Sequence, residues 1–194
     1  MTAPGRVVIL NGASSSGKTT IAERFRDERG AAGECWVVMG IDDFLARLPH
    51  QWFDVGVHHG PFAADGIRFE ASSTGVQVRV GEVGRRLLAG YRRAVAATAR
   101  AGLPVVVDEV TFDADAARDW EDALEGLDIT WVAVRCDLEV VEARERARSD
   151  REPGLARAQT AVVHDLVRYD GELDSTVATV EQLVATLTRI VAPR

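Results

Sequence analysis

Short apolar runs rich in Val and Ile alternate along this chain with longer stretches whose apolar positions recur every three to four residues. The runs predict strands at 6–10, 35–40, 103–108 and 129–135, with a weaker fifth at 175–177. The first four are nearly continuous in apolar residues, as strands of a parallel sheet buried on both faces are. The intervening patterns predict helices at 17–30, ended by Gly30, at 43–48, stopped by Pro49, and at 83–101, ended by Gly102. Asp113 and Asp137 stand where they would cap helices at 114–125 and 138–148, and a further helix is expected at 155–169. Thr179 with Gln182 forms a capping box for a last helix, which carries Leu183, Leu187, Ile190 and Val191 on one face. Strand alternating with helix implies an α/β three-layer sandwich: a parallel sheet of about five strands with helices on both faces.

One stretch breaks the rhythm. Residues 50–80 hold Trp52, Phe53, Phe62, Phe69, the pair His58 and His59, and an alternating piece from Val76 to Val80. It is too long and too aromatic for an idle connection, and long ordered loops in compact domains are binding elements or lids. No repeat, low-complexity tract or boundary divides the chain, so residues 1–194 read as one domain with 50–80 inserted in it.

Composition adjusts this picture in three places. The net charge of −7 gives no general attraction to nucleic acid or to anionic membranes, so any positive field must be local. No run approaches the ~20 apolar residues that span a bilayer, and the N-terminal run is too short for a signal peptide. Cys35 and Cys136 are distant and form no C-x-x-C pair, so they read as buried, reduced thiols. The expected setting is cytoplasmic; a homo-oligomer is left open.

Candidate chemistry begins at the only lysine among 23 basic residues. Lys18 closes the run Gly12, Ala13, Ser14, Ser15, Ser16, Gly17, Lys18, Thr19, which matches the phosphate-binding loop G-x-x-x-x-G-K-[ST] at every fixed position and is followed by Thr20. It lies between a predicted strand and a predicted helix, the context the motif requires. Backbone N–H groups and a helix N-terminus there would cradle ATP phosphates, Lys18 would reach the β- and γ-phosphates, and the Thr19 hydroxyl would ligate Mg²⁺. Asp108 ends the run Val105, Val106, Val107 as a second metal ligand should, with Glu109 its competitor. Asp42 and Asp43 follow the second strand and would face the phosphates; Asp42 reads as the catalytic base, Asp43 as the cap of a helix starting at Phe44. Arg144, Arg148 and Arg151 share one helical face and suggest a phosphate-clamping lid at 144–154 with Pro153 and Gly154 as hinge; the competing reading is a solvated face paired with Glu142 and Glu145. His164, Trp36 and Trp131 read as packed residues.

On these residues the chain resembles the chloramphenicol 3-O-phosphotransferase family of P-loop kinases. The likeness runs from VVILNGASSSGKTT through GIDDFLARLP, VVVDEV and WVAVRCDLEVVEARERARSDR to VVHDLVRYD and ELDST. It implies an ATP- and Mg²⁺-dependent enzyme that phosphorylates a hydroxyl of a small molecule, with the catalytic aspartate at Asp42, lid arginines at Arg148 and Arg151, and the stretch Arg135 to Asp137 near the adenine. Residues 50–80 depart from the family pattern, where the acceptor should sit. The IDDF element also resembles uridine kinase and related enzymes, so a nucleoside or metabolite kinase is the runner-up. A nucleotide-binding switch is the remaining alternative, and the chain lacks the N-K-x-D guanine motif of GTPase switches.

Overall fold

The computed structural model describes residues 3–55, 58–72, 75–111, 113–147 and 154–192. In chain order the elements are β1 (Val7–Asn11), α1 (Lys18–Ala31), β2 (Val37–Gly40), α2 (Ile41–Leu45), β3 (Phe53–Val55), β4 (His58–His59), β5 (Ile67–Ser72), β6 (Gly75–Val80), α3 (Glu82–Arg100), β7 (Val105–Glu109), α4 (Ala114–Ala123), β8 (Ile129–Arg135), α5 (Leu138–Arg146), α6 (Leu155–Thr160), β9 (Gly171–Asp174) and α7 (Val180–Ile190). A five-stranded sheet runs β2-β7-β1-β8-β9, and every pairing in it is parallel.

β1, β7 and the middle of β8 are buried on both faces because helices cover both, whereas the edge strand β2 is half-buried over three of its four residues. On one face Val8, Leu10, Val106, Val132 and Val134 pack against Ile21 and Phe25 of α1 and Leu183 and Leu187 of α7. On the other, Val7, Ile9, Val105 and Val107 meet Tyr91 and Val95 of α3 and Trp120 of α4. All five residues of β1 are buried, which puts it at the centre of the core. The chain moves to one side of β1 after α1 and to the other after α4, so the β1 end is the topological switch point where α/β sheets bind ligands.

Several boundaries differ from the sequence expectation. The fifth strand is Gly171–Asp174, not 175–177; β8 recruits it through parallel pairing, which its weak local pattern does not advertise. The helix expected at 155–169 ends at Thr160, and 161–167 is turn and bend. The helix expected at 43–48 occupies Ile41–Leu45 with Gly40 as its N-cap; Asp43 caps it not as the N-cap but from the first turn, its carboxylate accepting from the Gly40 N–H at 3.4 Å as in a capping box. Asp113 does cap α4, accepting from Ala116 N at 2.7 Å, whereas the Asp137 side chain makes no capping bond. The Thr179/Gln182 box forms in both directions, at 3.3 and 2.9 Å. Cys35 is exposed and Cys136 half-buried, against the expectation of buried thiols; Cys35 lies in the turn that leads into β2, outside the core. Trp36 is buried and Trp131 packs half-buried against the core.

The insert is itself a sheet, ordered β4-β3-β5-β6. The β5–β6 hairpin obeys the two-residue period: Ile67, Phe69, Val78 and Val80 line one face, while Arg68, Glu70 and Arg79 form ion pairs on the other. Gly84 seats α3 against it. A Cβ at Gly84 would stand 2.6 Å from Gly66 O and 2.8 Å from the Val80 side chain. Alanine is the better helix former by about 1 kcal/mol, but overpacking costs about 1–3 kcal/mol. Gly84→Ala should therefore lower stability in urea denaturation, and a raised midpoint would show that this contact is not tight.

Candidate active site

The loop between β1 and α1 takes its shape from two left-handed residues, Ser15 at φ 62° and Gly17 at φ 92°. Successive amides around such positions point into a concavity that suits an anion. Gly12 is needed for another reason, since a Cβ there would lie 2.4 Å from Val134 O of β8. Helix α1 begins at Lys18 with no acidic residue in its first turn, so its positive end stays available. The hydroxyls of Ser14, Ser15 and Ser16 are buried without hydrogen-bond partners among the described residues, as expected of a cradle built for an oxyanion ligand.

Lys18 is buried, and its Nζ donates to Ala13 O at 2.8 Å and lies 3.8 Å from Asp108 Oδ1. Thr19 Oγ1 donates to Asp108 Oδ2 at 2.5 Å. Loop, helix start and β7 end thus converge on one point, with a hydroxyl and a carboxylate that fit Mg²⁺, a cation held by few protein oxygens plus phosphates. Among the described residues no cluster of three His, Cys, Asp or Glu offers an all-protein metal cage.

Asp108 and Glu109 are adjacent yet face opposite sides of the pleat. Glu109 is buried beneath the sheet, where its carboxylate accepts from Val110 N at 2.9 Å and Trp120 Nε1 at 3.2 Å. Burial pushes its pKa up to about 7, opposed by the charge of Arg92 and by the Val110 N–H. Asp42 lines the cleft with Lys18 and Asp108, whereas Asp43 turns back to α2's own amide. The opposite wall of the cleft is apolar, made by Ile67, Phe69, Val78, Val80, Leu88 and Leu155.

Arg144 of α5 borders a separate depression with Gly17, Thr20 and Val180. Its guanidinium donates to Ser175 O at 2.9 Å. Arg135 instead forms a two-pronged pair with Glu172, both contacts at 3.0 Å, which holds the guanidinium pKa up and the carboxylate pKa down. This exposed pair contributes little stability. Arg148 and Arg151 lie outside the described residues, as does most of the expected lid at 144–154. Glu142 pairs with Arg157 at 2.6 Å, and Glu145 accepts from Gly154 N and Ala156 N, each at 2.8 Å. His164 is half-buried beside Tyr169, its pKa lowered by burial.

Sequence reasoning missed Asn11 and Gln159, and it read Glu145 only as a partner on a solvated helix face. Asn11 precedes the loop and is wholly buried; its Oδ1 accepts from Thr111 N at 2.8 Å, and its Nδ2 donates to Val163 O at 3.0 Å and Tyr169 Oη at 2.8 Å. Gln159 belongs to no motif; its Oε1 accepts from Ser14 N at 2.7 Å, and Glu145 is buried. Asn11's position beside the motif was the sole available signal.

Fold and loop together define a P-loop phosphotransferase of the small-molecule kinase class. A family model described as chloramphenicol phosphotransferase-like protein matches residues 5–192, and the chain belongs to that family. A relative from Mycobacterium tuberculosis (strain ATCC 25618 / H37Rv), named "Putative O-phosphotransferase", is 32% identical over 194 residues, covering 94% of this chain and 80% of the relative. Among solved structures, an unliganded sugar kinase from Janibacter sp. HTCC2649 aligns with TM-score 0.66 at 20% identity, covering 97% and 95% of the two chains. The Mycobacterium tuberculosis APS kinase in complex with AMPPNP and APS aligns with TM-score 0.64 at 16% identity, covering 98% and 99%. These structural likenesses establish the shared fold. Among the described residues no helix is long and apolar enough to cross a membrane.

Glu109 makes stability depend on pH in a definite direction. The unfolded carboxyl ionises near 4.5 while the folded one holds its proton to about 7, so its contribution is full below 4.5 and is lost as pH rises to about 7. Glu109→Gln cannot ionise there. Its stability relative to the parent should rise between pH 4.5 and 8 by about 3 kcal/mol at most, from 1.36 kcal/mol per pKa unit. Urea titrations at the two pH values that give the same difference would show that Glu109 is not protonated in the fold.

Proposed function

We propose that the enzyme transfers the γ-phosphoryl group of ATP to a hydroxyl of a small molecule with an apolar body, an antibiotic of the chloramphenicol type. The observation that carries this reading is the two-sided cleft. One wall presents Lys18, Thr19, Asp42 and Asp108, and the other presents Ile67, Phe69, Val78 and Val80 of the insert. A polyhydroxylated acceptor, such as a sugar or nucleoside, would leave hydroxyls unpaired against that wall, at a cost of about 1–3 kcal/mol each. The metabolite-kinase alternative is weaker for that reason. A switch without acceptor does not account for a carboxylate and an apolar wall facing the loop.

In this reading Gly12 to Thr20 bind the phosphates of ATP, and Arg144 stands beside the loop at the nucleotide. Thr19 and Asp108 would hold Mg²⁺, which when bound neutralises charge on the phosphates. Asp42 accepts the proton of the acceptor hydroxyl as its oxygen bonds to the γ-phosphorus and the bond to the ADP oxygen breaks. Lys18 stabilises charge on the phosphoryl group in flight. The products are a phosphate ester, ADP and a proton. Arg148 and Arg151 keep the catalytic role that the family likeness assigns them. Arg135, paired with Glu172, lines a depression with Cys136, Asp137, Ala13 and Ser16, where the adenine would lie.

The decisive experiment incubates the enzyme with Mg²⁺-ATP and a panel of hydroxyl-bearing antibiotics, sugars and nucleosides, with phosphorylated product read by mass. Turnover should require an acceptor and favour those with an apolar ring; ATP hydrolysis indifferent to every acceptor would sink the proposal. Lys18→Ala should lose on the order of 10²-fold or more in kcat while remaining folded. Asp42→Asn should lower kcat at nearly unchanged ATP affinity, and Asp43→Asn should retain most activity. An active Asp42→Asn beside a dead Asp43→Asn would reverse the assignment. Phe69→Ala should raise KM for the acceptor and leave KM for ATP alone; the opposite pattern would move the acceptor off the insert.

A further inference from the structure

We infer that Gln159 is a phosphate-contacting residue, its side-chain Nε2 donating to the γ-phosphoryl group of bound nucleotide. The inference rests on the phosphotransfer reading above but not on the identity of the acceptor. Gln159 is buried, and its Oε1 accepts from the backbone N–H of Ser14, the third residue of the loop, at 2.7 Å. A backbone N–H can bond only to the oxygen of the side-chain amide, so the chemistry fixes which end faces the loop. The amide is planar, and Nε2 therefore points away from Ser14 N. Gln159 lines the cleft that holds Asp42 and Lys18, not the depression beside Arg144. Among the described residues, the hydrogen bond from Ser14 N to Oε1 is the only one made by the Gln159 side chain. The amide thus stands in the lining of the cleft where the phosphate loop adjoins the apolar wall, with Nε2 as a donor for a γ-phosphoryl group bound there.

The short helix α6 that carries Gln159 is tied down on both sides of it. Glu145 of α5, buried, accepts from Gly154 N and Ala156 N at 2.8 Å each. Beyond the helix, Val163 O accepts from Asn11 Nδ2, so the segment is stitched to the end of β1. Gln159 lies between these anchors. Its donor is held in place before any ligand arrives, which is the condition under which a hydrogen bond to developing charge contributes most.

The test separates a donor from a mere prop for Ser14 N. Gln159→Glu keeps an oxygen for Ser14 N but replaces the donor with an anionic oxygen. Affinities for ADP and for an ATP analogue with an imido bridge between the β- and γ-phosphates would be measured by calorimetry with Mg²⁺ and no acceptor. Gln159→Glu should weaken the triphosphate analogue by about 10- to 100-fold and ADP far less, since only the former carries a γ-phosphoryl group. Gln159→Leu, which removes the donor without adding charge, should lose the preference for triphosphate by a smaller factor. It serves as the readout if the Glu variant does not fold. A triphosphate-to-diphosphate preference in both variants equal to that of the parent overturns the inference, because a prop role survives in Gln159→Glu. Parent enzyme that binds neither nucleotide overturns the phosphotransfer reading and this inference together, so the control tells the two failures apart.

Discussion

A single amide side chain, that of Asn11, joins the three segments that make the site. It sits at the last position of β1, wholly buried, where no water can satisfy it. Its oxygen takes the Thr111 N–H just past the end of β7, and its nitrogen bonds to Val163 and Tyr169 beyond α6. Each such bond, broken so as to leave a buried group unpaired, costs about 1–3 kcal/mol. The phosphate loop that begins at the next residue therefore inherits a fixed origin. From it Asp108 reaches Thr19, and Gln159 reaches Ser14.

The pleat of β7 does comparable work on neighbouring acids. Successive side chains of a strand leave opposite faces of a sheet. Asp108 consequently reaches Lys18 and Thr19 at the cleft, while Glu109 goes into the core against Trp120. One residue stays close to cations; the other, desolvated, has its pKa pushed to about 7. Two carboxylates that look interchangeable in a list of residues are separated by the period of the strand alone.

The insert adds the second wall. Its hairpin is amphipathic at period two, and the apolar side has nowhere to go except over the loop, because the charged side is occupied by the Arg68–Glu70–Arg79 ion pairs. Closely approaching backbone at Gly66 and Gly84 fixes that sheet against α3. The same arrangement that buries Ile67 and half-buries Val80 shapes the apolar side of the cleft.

Local pattern alone sufficed for four strands of the parallel sheet, the phosphate loop, the caps of α4 and α7, and the alternation from Val76 to Val80 that lies in β6, since each depends on residues a few positions apart. Residue order also placed Asp42 and Asp108 at strand ends, and strand ends in such sheets face the ligand. What it left open depends on contacts across the fold. The strand Gly171–Asp174 exists because β8 pairs with it. Asp43 caps α2 from its first turn and not from the N-cap position because α2 starts at Ile41, right after the strand ends, and Cys35 is exposed because the segment before β2 lies outside the core. Which of Asp108 and Glu109 faces the cleft, and the approach of Gln159 to a loop residue 145 positions away, depend on packing. Hydrogen bonds of that span leave no periodic trace in a sequence, because their partners become neighbours only when the sheet has closed around β1.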